Sequence, residues 1–111
     1  MRTSGVHPSM LRDWRVLAGL SQIELGRRTM HTWKGEQRSL DKMTINAIES
    51  DPTRGVTEEI LVSLANVLTE AIHNAYPTLS ELTVTSLDLV DNNPNDVLAQ
   101  MRSKPRQKAA S

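Results

Sequence analysis

The chain has 111 residues, no cysteine, no phenylalanine, and only Trp14, Trp33 and Tyr76 as aromatic side chains. That length suits one domain with a short appendage, and a core drawn from Leu, Ile, Val, Met and Ala favours packed helices over a β-sandwich. Lack of thiols excludes disulfides, thiolate metal sites and cysteine nucleophiles. The N-terminus shows no apolar run after its charge, and no stretch reaches a membrane span, so a soluble cytoplasmic protein without membrane association is expected.

The formal net charge is zero, but its distribution is uneven. Residues 1–56 carry nine Lys/Arg against six acids, net +3. Residues 57–100 carry seven acids and no Lys or Arg, net −7, and residues 101–111 carry four basic residues and no acid, net +4. Such polarity matters for partner choice more than the sum does.

In chain order, Pro8 suits a first helical turn, and Leu11, Trp14, Leu17 and Ala18 recur at helical spacing until Gly19 closes the segment. Ser21-Gln22-Ile23-Glu24 is a capping box that opens a short second helix ending near Thr29. Residues 30–40 lack clear periodicity and contain Gly35, which predicts a loop. Asp41 is the N-cap expected for a third helix through Glu49, and the breakers Ser50-Asp51-Pro52-Thr53-Arg54-Gly55 follow it.

Thr57 caps a fourth helix whose first turn holds Glu58 and Glu59, favourable against the helix dipole. Its apolar face is Ile60, Leu61, Leu64, Val67 and Leu68, and a short fifth helix or a continuation covers 71–74. Residues 82–90 have β-propensity and partial alternation, which predicts a strand. Asn93-Pro94-Asn95-Asp96 then opens a helix over 94–102. After Ser103 there is no large apolar residue, so a disordered basic tail is expected at 103–111.

These pieces, in this order, resemble a known family. Leu11-Arg12-x-x-Arg15…Gly19-Leu20-Ser21-Gln22-x-x-Leu25-Gly26 looks like the opening of Cro/C1-type helix-turn-helix domains, the phage-repressor and XRE-like group. Thr44-Ile45-Asn46-Ala47-Ile48-Glu49 resembles that family's recognition helix, and Leu61-Val62-Ser63-Leu64-Ala65-Asn66-Val67-Leu68 resembles the helix after it. The resemblance covers about residues 8–75. It implies an all-α, compact five-helix repressor-like domain at 1–75, a C-terminal extension at 76–102 with a candidate strand and helix, and the tail at 103–111. One departure is plain: Ser21 and Ile45 lie twenty-four positions apart, where the family has a tight turn between the two motif helices. The longer excursion carries His31, Trp33 and Arg38.

A recognition helix of this kind presents its early side chains to base edges in the major groove. Those would be Lys42, Met43, Thr44 and Asn46, with Asn46 suited to adenine, Lys42 to guanine, and Met43 or the Thr44 methyl to thymine. Gln22, Arg27, Arg28, Lys34, Arg38 and Arg54 are candidates for the DNA backbone, where contacts position without specifying. Leu25, Ile45, Ile48, Leu61 and Leu64 read as core. Trp33 has two open readings, a lid packed over the excursion or a DNA contact.

His7, His31 and His73 lack metal-ligand spacing, no glycine-rich phosphate loop exists, and no Ser/His/Asp set stands at informative spacing. No enzyme, cofactor or metal is expected, and the carboxylates of 57–100 read as a solvated acidic surface. The expected function is sequence-specific binding of double-stranded DNA by a repressor-like transcriptional regulator of phage or mobile-element type. A homodimer matches two half-sites, with the strand at 82–90 or the helix at 94–102 as its contact unless this segment packs back on the domain. The alternative is an antitoxin-like or adaptor protein that binds a protein partner through the acidic 57–100 surface. A DNA-bending accessory factor is a third class, without a glycine-rich hairpin to support it.

Overall fold

Helix α1, Leu11–Ala18, turns Leu11, Trp14 and Ala18 into the interior. It closes with Gly19 N–H donating to the Val16 carbonyl (3.1 Å) and Leu20 N–H to that of Arg15 (3.2 Å), the paired bonds that use up the last carbonyls of a helix. The structure, a computed structural model, describes residues 5–103, without the side chains of the last two.

Helix α2, Gln22–Arg28, starts at the expected capping box. Glu24 N–H donates to Ser21 Oγ (3.1 Å) and Ser21 N–H to Glu24 Oε1 (3.0 Å). The bond from the Ser21 backbone, followed by that with its side chain, holds the Glu24 carboxyl below its ordinary pKa.

The excursion predicted as a loop is a β-hairpin, β1 Met30–Trp33 and β2 Glu36–Ser39, paired antiparallel with Met30 opposite Ser39 and Trp33 opposite Glu36. Lys34 (φ 50°) and Gly35 (φ 81°) form the turn. Positive φ at both central residues marks the two-residue turn whose twist matches paired strands. All-α is therefore corrected to a mostly helical fold with one small sheet among the described residues. The strands give no alternating pattern because neither face is buried.

Helix α3, Lys42–Ser50, begins where Asp41 Oδ1 accepts Thr44 N–H at 2.8 Å, and it buries Ile45 and Ile48. Its entry explains Gly26. A Cβ there would stand 2.7 Å from the Leu40 carbonyl oxygen, and Leu40 N–H itself donates to Gly26 O (3.0 Å). Only glycine lets the strand leading into α3 lie this close to α2.

Helix α4 runs unbroken over Glu58–Ala75, so residues 71–74 are its continuation. Thr57 caps it, and Leu61, Leu64, Ala65, Leu68, Ala71 and Ile72 face the core. A 3₁₀ turn follows at Pro77–Leu79.

The strand expected at 82–90 is absent. Residues 82–85 have no regular structure, and Ser86–Asp91 form helix α5. Thr85 and Asp88 make a second capping box, Asp88 N–H to Thr85 Oγ1 (3.2 Å) and Thr85 N–H to Asp88 Oδ2 (2.9 Å). Capping and burial of Leu82, Val84 and Leu89 override the β-propensity of the segment. Helix α6, Pro94–Ser103, lies where a helix was expected. The rest of the tail predicted at 103–111 falls outside the described residues.

This C-terminal segment packs back on α1 and α4. The fully buried Trp14 donates its indole N–H to the carbonyls of Asn92 (2.9 Å) and Asp88 (3.2 Å). Met10 N–H reaches Leu89 O (2.8 Å) and Ser9 Oγ donates to Val90 O (2.9 Å). At the other end Val6 and Val56 form a two-way backbone bridge. No described helix is long and apolar enough to cross a membrane.

Candidate nucleic-acid interface

Glu49, near the end of α3, fixes how three helices meet. Arg15 of α1 donates to it through Nε (2.6 Å to Oε2) and Nη2 (3.1 Å to Oε1), a forked pair with side chains only 15% and 5% exposed. Arg15 Nη1 also donates to the Leu20 carbonyl at 3.0 Å. Gln22 Nε2, in the first turn of α2, donates to Glu49 Oε1 at 3.1 Å and to Asn46 Oδ1 at 3.3 Å. The guanidinium fork suits this planar pairing, and the result is a polar tie that sets α2 against α3. Neither Arg15 nor Glu49 was singled out in the sequence for a role, although both stand inside the quoted motifs.

With Ile45 and Ile48 buried, the opposite side of α3 faces solvent. At about 100° per residue, Lys42, Asn46 and Met43 fall within one arc of roughly 100°. All three are exposed, Met43 at 79%. Exposed Ser50 falls inside that arc and half-buried Ala47 borders it; both went unnoticed because neither is a strong base-reading type. Thr44 does not share it. It is half-buried on the flank of the helix, and its backbone N–H is taken by Asp41. Those bonds from Thr44, side chain first, hold the Asp41 carboxyl below its ordinary pKa.

The residues expected at a DNA backbone separate into groups. Gln22 is half-buried and bonded to Asn46 and Glu49, so α2 and α3 do bring these together. Arg27 and Arg28 are exposed in the last turn of α2. Lys34 and Arg38 are exposed on the hairpin, with Arg38 Nη2 3.6 Å from Glu36 Oε1. Arg54 lies exposed in the loop beyond α3, and its carbonyl meets His7 Nδ1 at 2.7 Å. In the same loop Asp51 accepts from Thr53 Oγ1 (2.6 Å) and N (3.0 Å). Those bonds, with smaller help from Arg54 and His7, lower its pKa.

His73 Nε2 lies 2.6 Å from the Leu82 carbonyl, a structural contact like that of His7. Among the described residues no group of three or more His, Asp or Glu is placed to hold a metal ion. The acidic segment needs one correction: Asp88 is buried, 1% exposed, and its Oδ1 accepts from Asn92 Nδ2 at 2.6 Å. It belongs to the helix-capping network rather than to a solvated acidic surface. Comparison with protein-family models, with curated proteins and with solved structures gave no match.

Proposed function

We propose that this protein binds double-stranded DNA sequence-specifically and acts as a repressor-like transcriptional regulator, with α3 in the major groove. One observation carries the proposal. Lys42, Met43 and Asn46 share an exposed arc of α3, while Ile45 and Ile48 anchor the other side and the Arg15–Glu49–Gln22 tie fixes the angle to α2. A helix braced in this way, with Lys42, Met43 and Asn46 unburied, suits base-edge readout. Thr44, on the flank, has a lesser part in it. Gln22, Arg27, Arg28, Lys34, Arg38 and Arg54 would supply backbone contacts that orient the helix without specifying sequence.

A homodimer belongs to the proposal, since twofold symmetry matches paired half-sites. The strand that would have paired two copies is absent; α6 remains, and we place the contact at the cleft that its Leu98 and Met101 line with Leu17, Tyr76 and Leu79. No catalytic role is proposed. Selection of bound duplexes from a random library, at low and at physiological salt, tests the function. A palindromic consensus that survives the higher salt is the expected outcome. Uniform binding that vanishes with salt would leave electrostatics alone and favour a protein partner for the acidic face of 57–100.

A further inference from the structure

The hairpin is held by its edge, and none of its side chains is fully buried. Met30 N–H donates to Ser63 Oγ and Thr32 N–H to Glu59 Oε2, both at 3.0 Å, so α4 occupies the outer edge of β1. Thr29 and Leu40, at its entrance and exit, are buried, but no residue of either strand is. Ordering backbone has an entropic cost that buried apolar area ordinarily offsets. Here that offset is small, with Met30 39% and Trp33 53% exposed, which points to a partner outside the domain.

Directly opposed residues share a face, so His31 and Arg38 project together with Trp33 and Glu36. His31, Trp33 and Arg38 line a cleft of about 290 Å³ that reaches Asp41 and Thr44 at the first turn of α3. Trp33 is 53% exposed, and Lys34 Nζ lies 5.8 Å from its ring centroid. Residues 27–42 hold five Lys/Arg and two acids, net +3. Both acids are already engaged, Glu36 beside Arg38 and Asp41 on the Thr44 N–H. This surface suits a polyanion with sugar faces for an aromatic ring, and it runs directly into the helix proposed to enter the groove. A four-residue strand reaches about 14 Å at ~3.4 Å per residue, enough to span a major groove about 12 Å wide.

We propose that the hairpin is a backbone clamp, a second DNA-contacting element beside α3. Trp33 lays its ring on a deoxyribose of the strand bordering the groove, and Lys34 and Arg38 take the flanking phosphates. The clamp rests on α3 docking in the major groove and adds sequence-independent affinity and a longer footprint.

The two tryptophans make it testable in the full chain. Trp14 is fully buried and supplies a constant background, whereas Trp33 is open to a neutral quencher. On titration with a long mixed-sequence duplex at low salt, acrylamide quenching of Trp33 should fall, and Trp33→Phe should abolish that change. Replacing Lys34 and Arg38 together with alanine should weaken binding on every sequence. It should also make log K against log salt shallower by about 1.8, at ~0.9 per phosphate contact. Circular dichroism should show that these variants, whose replaced side chains are exposed, keep their helices.

Binding seen by anisotropy of a labelled duplex, with Trp33 quenching and salt slope unchanged, would overturn the clamp and leave the α3 proposal standing. No binding to any duplex at low salt would remove both. Protection of Trp33 by polyglutamate but not by duplex would assign the face to an acidic protein and overturn the clamp.

Discussion

Replacing Glu49 with alanine removes three hydrogen-bond acceptances at once, two from Arg15 and one from Gln22, over distances of 2.6–3.1 Å. The two charged side chains are 15% and 5% exposed, so the variant leaves a largely desolvated guanidinium without its counter-charge. Breaking one side of a buried pair costs about 3–5 kcal/mol. Arg15 keeps the Leu20 carbonyl and some water, which puts the expected loss near the lower end, about 3 kcal/mol. In a domain of about 100 residues that lowers the melting midpoint by roughly 12–24 °C. Urea unfolding followed by far-ultraviolet circular dichroism reads it as a lower midpoint at unchanged slope. Arg15→Met with Glu49→Leu should recover most of the loss, because a packed apolar pair strands no charge. A Glu49→Ala loss under about 1 kcal/mol, the range of an exposed surface pair, would refute the reasoning that Glu49 ties α1, α2 and α3 together.

Gly26→Ala should destabilise by about 1–3 kcal/mol, since its Cβ would meet the Leu40 carbonyl oxygen at 2.7 Å; an unchanged urea midpoint would contradict the close approach. Trp14→Phe keeps most of the ring volume but strips the Asp88 and Asn92 carbonyls of their indole donor. A loss of about 1–3 kcal/mol is expected, with faster amide exchange in α5. Glu24, Asp41 and Asp51 have folded pKa values below their ordinary ones of 4.5, 3.8 and 3.8. Their stabilising contributions are therefore complete above those values and lost as pH falls through the lower folded ones. The urea midpoint should fall in that acid window, and less steeply in Asp41→Asn, which keeps a cap acceptor.

What could be read from the chain was local. Ser21 with Glu24, Asp41, and Thr57 announce three helix starts by side chains that reach only three residues, and the apolar spacing of α1 and α4 names the buried face. The misses were of two kinds. The hairpin has exposed faces and a Lys-Gly turn, so neither alternation nor an Asn-Gly signal marks it. Residues 82–90 carry β-propensity along with a Thr85–Asp88 capping box, and burial of Leu82, Val84 and Leu89 with the Trp14 indole bonds weighs for the helix. The proposed interface divides the same way. That Lys42, Met43 and Asn46 lie on the exposed side of α3 was legible from helical position, whereas Thr44 turned to the flank. The Arg15–Glu49 tie spans thirty-four positions, and no local pattern reveals which distant charge will meet which.

The most direct test compares wild type and Asn46→Ala on the selected duplex and on an unrelated duplex, by equilibrium titration at physiological salt. Wild type should prefer the selected duplex, and the variant should lose about 1–3 kcal/mol there, as for a lost base contact, with little change on the unrelated one. Equal losses on both duplexes, or no preference in the wild type, would contradict base reading by α3.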